Sequence, residues 1–138
     1  MMKVGESVSD TVTITEEMVQ LFAKCTGDYN PIHMDEAHAK KTRFGRRIAH
    51  GMLSGGIISR VLATKLGAGG IYLGQTLKFL KPVYIGDTIT AEVTVTSLRA
   101  ERGIASMSTI VKNQTGDIVV KGDATIMLET SPGFAAGS

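Results

Sequence analysis

Met52-Leu53-Ser54-Gly55-Gly56-Ile57-Ile58-Ser59-Arg60-Val61-Leu62-Ala63-Thr64-Lys65-Leu66 runs without a proline and is mostly apolar. Met52, Leu53, Ile57, Ile58, Val61, Leu62 and Leu66 occupy nearly all sides of a helical wheel, so the stretch reads as a buried helix that must be enclosed. Gly55-Gly56 lets another backbone come close to it. The chain that follows supplies the enclosure: Ile71 to Leu80, Asp87 to Arg99, Gly103 to Asn113 and Ile118 to Leu128 read as strands. Ile89, Ala91, Val93 and Val95 share one face, and Thr88, Thr90, Glu92, Thr94 and Thr96 the other. That alternation is the period-two pattern of a half-buried antiparallel strand. Ile118, Val120, Ala124, Ile126 and Leu128 repeat it. Lys81-Pro82, Gly86-Asp87, Arg99 to Gly103 and Asn113 to Asp117 supply the turns between strands. The fold class expected is α+β, one long apolar helix wrapped by a curved antiparallel β-sheet.

Upstream of that helix, Val8, Val12 and Ile14 mark an extended arm that ends at Thr15. Thr15 is placed to cap a helix with Glu16 and Glu17 in its first turn, where the dipole favours acids. Met18, Leu21, Phe22 and Cys25 form its apolar stripe, which makes Cys25 a buried residue, and Gly27 closes it. Asp35 caps a further short helix through about Lys41. The 138 residues suit one domain, placed at 1–130, with Ser131 to Ser138 a tail disordered by composition. A net charge of +2 argues against a nucleic-acid partner. No apolar run approaches the roughly 20 residues of a membrane span, and Glu6, Asp10, Glu16 and Glu17 are unlike a signal sequence. With Cys25 the single cysteine, neither a disulfide framework nor a multi-cysteine zinc site is possible, and a cytoplasmic protein is the default.

The chemistry concentrates in Gly27-Asp28-Tyr29-Asn30-Pro31-Ile32-His33. On a continuous helix Asp28 and His33 would point about 140° apart. Pro31 cannot donate a backbone hydrogen bond and forces Asn30 out of the helical region, so the chain turns here and both side chains can converge. Asn30 reads as the residue that shapes this loop through its amide. Gly51, at the start of the apolar helix, offers an outward amide with partial positive charge and no side chain in the way. His50 beside it reads as structural. The basic run Lys40, Lys41, Arg43, Arg46 and Arg47 reads equally well as a phosphate site or as a solvated face.

Two stretches, Phe22-Ala23-Lys24-Cys25-Thr26-Gly27-Asp28-Tyr29-Asn30-Pro31-Ile32-His33 and Ala49-His50-Gly51-Met52, resemble the MaoC-like, (R)-specific enoyl-CoA hydratase family. The resemblance continues through Ile71-Tyr72-Leu73-Gly74-Gln75 and Leu77 to Asp87, and is greatest to the short single-domain type associated with polyhydroxyalkanoate precursor supply. It implies the hot-dog fold, a homodimer, an acyl-CoA thioester substrate, and hydration without a cofactor or metal. It also implies Asp28 and His33 as the catalytic pair, Gly51 as the oxyanion amide, and Ser59 as a supporting residue; Ser59 reads almost as well as a hydroxyl bonded back to its own helix. The implied reaction adds water to Cβ of a trans-2-enoyl thioester while charge gathers on the thioester oxygen. Such a reaction needs a base, a proton for Cα and oxyanion donors. Two rivals share the fold, a hot-dog thioesterase and a non-catalytic acyl-CoA binding module. A thioesterase calls for a carboxylate on or beside the central helix, and Met52 to Leu66 has none. A binding module has no need of both Asp28 and His33.

Overall fold

The computed structural model describes residues 2–66, 70–129 and 131. Strand β1 (Ser7–Thr13) leads into helix α1 (Glu16–Thr26), a helical turn α2 (Pro31–Met34), a short α3 (Glu36–Lys40) and the long α4 (Gly51–Lys65). Strands β2 (Ile71–Gln75), β3 (Lys78–Phe79), β4 (Thr88–Arg99), β5 (Ile104–Lys112) and β6 (Ile118–Met127) follow. They form one antiparallel sheet in the order β1-β4-β5-β6-β2, with β3 also on β6. The expected helix wrapped by a sheet is therefore present.

Alternation in β4 decides what the sheet buries. Ile89, Ala91 and Val93 are fully buried and Val95 is 1% exposed, and they pack on Ile57, Ile58, Val61 and Leu62 of α4 in a single core. The opposite face is polar, with Thr11 and Thr90 and then Thr13 and Thr88 sharing hydroxyl hydrogen bonds of 2.9 Å across β1 and β4. Enclosure of α4 is incomplete. Met52 is 57% exposed, and a side chain at Gly56 would enter open space. Gly55 admits the Leu77 side chain rather than another backbone.

Three further expectations change. In α1 the buried residues are Val19 and Ala23, while Leu21 and Cys25 are exposed. The stripe that faces inward is thus the smaller one, Val19 and Ala23. The strand expected over Ile71 to Leu80 is broken into β2 and β3, with a bulge between Tyr72 and Gly74. Ser131, assigned to the tail, is 8% exposed and donates its N–H to the Leu128 carbonyl at 2.9 Å. Residues 132–138 lie outside the described residues. Among the described residues, no helix is long and apolar enough to cross a membrane.

Candidate active site

Local chemistry stops α1 where the site begins. Thr15 Oγ1 accepts from the Met18 amide at 3.1 Å to start the helix. At its end Gly27 takes φ 80°, a left-handed conformation that glycine adopts at little cost, and caps the Ala23 carbonyl. Asp28 Oδ1 then accepts from the Asn30 amide at 3.2 Å, and Asn30 Oδ1 accepts from the Ile32 amide at 3.3 Å. The second bond, with Pro31 at the first helical position, starts α2 and brings His33 back over the loop. Asn30 thus has the loop-shaping place expected of it. The helical turn itself was not expected from the sequence, although an Asn-Pro pair is a known start signal.

A separate segment, Arg47 to His50, grips this loop from the other side. His33 Nδ1–H donates to the Ile48 carbonyl at 2.8 Å, and the Ile48 amide donates to the Ile32 carbonyl at 3.2 Å. Arg47 donates through Nε to the His33 carbonyl at 2.7 Å, and its two terminal nitrogens hold both oxygens of Glu16 at 2.6 and 2.7 Å. This fork fixes the carbonyl of His33 to the first turn of α1. Arg47 is therefore engaged within the chain, which removes it from the candidate phosphate ligands. Arg46 lies over the Tyr84 ring at 4.1 Å, and only Arg43 of the basic run lines the cavity described next.

Asp28, His33 and His50 each place one oxygen or nitrogen within 4.8 Å of the others. They line a cavity of about 600 Å³ whose walls include Phe22, Phe44, Met52 and Phe79, with Gly51 at the start of α4 on the same cavity. Asp28 is the one carboxylate among the described residues that line it. Burial holds His33 below the usual imidazole range; the Ile48 carbonyl opposes that effect, and the neighbouring His50 and Arg47 add to it. With Nδ1 donating to Ile48, Nε2 is the nitrogen that carries the lone pair. The first four amides of a helix have no partner within it, so the Gly51 N–H is available to an oxyanion. A side chain at Gly51 would meet the Phe79 ring at 2.7 Å, so glycine permits the close approach of that ring.

Ser59 is half-buried on α4 and does not line this cavity, whereas Ser54, 2% exposed, does. Ser54 was legible only as one turn beyond Gly51. Met18, Leu21, Leu66 and Ile71 do not line it either. Met52 lines both this cavity and a second, of about 310 Å³, formed with Gly55, Leu73 and Leu77.

The sequence profile described as a MaoC like domain matches residues 2–117. The chain is 49% identical over 127 residues to the (R)-specific enoyl-CoA hydratase of Rhodospirillum rubrum, covering 91% of this chain and 88% of that protein. It is 41% identical to the (R)-specific enoyl-CoA hydratase of Aeromonas caviae, covering 92% and 96%. Among solved structures, R-hydratase PhaJ1 of Pseudomonas aeruginosa in unliganded form superposes with a TM-score of 0.88 at 47% identity, covering 92% of this chain and 82% of that one. The A. caviae (R)-hydratase involved in PHA biosynthesis gives 0.89 at 41%, covering 92% and 97%.

Proposed function

The chain belongs to the MaoC-like domain family, and from that footing we propose that it hydrates trans-2-enoyl-CoA to (R)-3-hydroxyacyl-CoA, reversibly, with one water held between Asp28 and His33. It is an enzyme of the hydro-lyase class, and its fold is the hot dog. The observation that carries the assignment of roles is the His33 ring. Its Nδ1–H is spent on the Ile48 carbonyl, so Nε2 can only accept, and Asp28 in the same cavity adds a second acceptor. Two acceptors side by side suit a water, whose two hydrogens they can share.

The substrate thioester lies with its carbonyl at the Gly51 amide and its Cβ at the held water. One acceptor takes a proton from the water as the hydroxyl adds to Cβ. The electron pair of the double bond moves toward the thioester oxygen, where the Gly51 N–H and the positive end of α4 stabilise the enolate. The proton taken from the water is returned to Cα from the same side, and the thioester re-forms. Every atom of the water ends in the product, so no cofactor is consumed. Asn30 serves by shaping the loop. The apolar walls formed by Phe22, Phe44, Met52 and Phe79 accommodate an acyl chain, and Arg43 at the same cavity is placed to meet a CoA phosphate.

A homodimer completes this reading. Strand β2 is an unpaired edge of the sheet that exposes Ile71, Tyr72 and Leu73 by 49%, 37% and 50%, an apolar rim that a second copy would cover. The thioesterase alternative would direct the Asp28-held water at the thioester carbonyl instead of Cβ. Purified protein, running at twice the 14.7 kDa chain mass, is expected to consume the conjugated enoyl-thioester absorbance of crotonyl-CoA and release no free thiol. Thiol release without loss of the enoyl group by hydration would replace this reading with hydrolysis.

A further inference from the structure

His50 stands where the two halves of the site join. As the residue before Gly51 it occupies the N-cap of α4, yet its side chain makes no capping bond. The ring turns instead toward the loop, where Nε2–H donates to the Asp28 main-chain carbonyl at 2.9 Å. It is wedged between Phe22 and His33, with ring centroids 4.7 and 4.0 Å away. His50 is 2% exposed, and its Nδ1 is buried without a hydrogen-bond partner among the described residues. An unpaired buried acceptor costs stability. A cap that does not cap and a nitrogen without a partner are poor reasons for a histidine here, so its use lies in the bond it does make.

We propose that His50 is a positioning residue that fixes the distance between Asp28 and the Gly51 amide. It does so with one rigid ring whose own backbone carries the oxyanion helix and whose Nε2 holds the catalytic loop. The Asp28 carboxylate is on an exposed turn, so that bond is what ties its main chain to the buried frame. The same ring supports the face of His33. The inference rests on the hydration reading. Displacement of a reacting group by about 1 Å can cost roughly 10²-fold in rate, and a loss of this kind falls on kcat because substrate binding elsewhere is untouched.

Two near-isosteric variants of the full chain separate the hydrogen bond from the packing. His50→Gln keeps an N–H near the position of Nε2, and His50→Met fills similar space with no donor. Both are melted beside wild type and assayed with crotonyl-CoA. His50→Met is expected to lower kcat about 10²-fold with KM within about threefold of wild type, and His50→Gln to recover kcat to within about tenfold. If His50→Met is unfolded at the assay temperature, His50→Asn, whose shorter amide does not reach the Asp28 carbonyl, takes its place. Equal kcat values for the donor and non-donor variants, or a loss confined to KM, would overturn the inference. Wild type that fails to hydrate crotonyl-CoA would bring down the hydratase reading itself, a different result from wild-type hydration matched by His50→Met.

Discussion

Asp28→Asn lowers kcat for crotonyl-CoA hydration by about 10²- to 10⁴-fold and leaves thermal unfolding within about 2 °C of wild type. The substitution is nearly isosteric. Asparagine keeps the oxygen that accepts from the Asn30 amide, and the main-chain carbonyl that receives His50 Nε2 is unaltered. Asp28 is exposed, so the fold has little to lose. What changes is that one acceptor becomes a donor, and the held water can no longer place both hydrogens. His33→Ala should cut kcat to a similar degree, with somewhat more loss of stability because the bond to Ile48 goes with the ring. Steady-state kinetics and melting on the same preparations check both. An Asp28→Asn protein that stays folded at full activity would remove Asp28 from the mechanism.

Gly122→Ala acts on the fold and is expected to be the most destabilising added methyl among the described glycines. Gly122 is buried in β6, and a Cβ there would overlap the Thr76 carbonyl. That carbonyl belongs to backbone and has no rotamer to escape into. Thr76 is also pinned from both directions, its N–H donating to the Asp123 carbonyl at 2.9 Å and its Oγ1 accepting from the Asp123 amide at 3.0 Å. Relief therefore requires β2 and β3 to separate from β6. A loss of about 3 kcal/mol or more follows, which lowers the melting temperature by roughly 10 °C for a chain of this size. Gly51 offers the contrast. A methyl there meets the ring of Phe79, which is 53% exposed and can swing aside. Thermal unfolding decides the matter, and a Gly122→Ala protein melting within about 3 °C of wild type would refute the backbone contact.

Legibility from sequence followed the range of the interactions. The strict alternation at Ile89, Ala91, Val93 and Val95 and the turn residues between strands are local signals, and the structure keeps them. Thr15, Gly27 and Asp35 cap their helices through bonds to neighbours within a few residues, again local chemistry. The inward stripe of α1 was misread because Leu21 and Cys25 suit a core by type, while the helix turns the smaller Val19 and Ala23 inward. The split between β2 and β3 depends on the fit between Thr76 and Gly122, far apart in the chain. In the site, the convergence of Asp28 and His33 was readable from the proline-forced turn. The grip of Arg47, Ile48 and His50 on that turn was not, since nothing in the spacing says that residues 47–50 fold back over residues 28–33. For the same reason the basic run, read equally as a phosphate site or a solvated face, could not show that Arg47 is held by Glu16, a residue of α1 far away in the chain.

In the proposed mechanism a single water, held on one face by Asp28 and His33, supplies both the hydroxyl and the proton while Gly51 carries the enolate. Hydration of crotonyl-CoA in D₂O reads this directly, through the relative configuration of the new Cα–D and Cβ–OH bonds determined by NMR of the product. Syn addition with the (R) configuration at Cβ is expected. Anti addition, or deuterium scrambled over both faces of Cα, would rule out delivery of both groups from one held water.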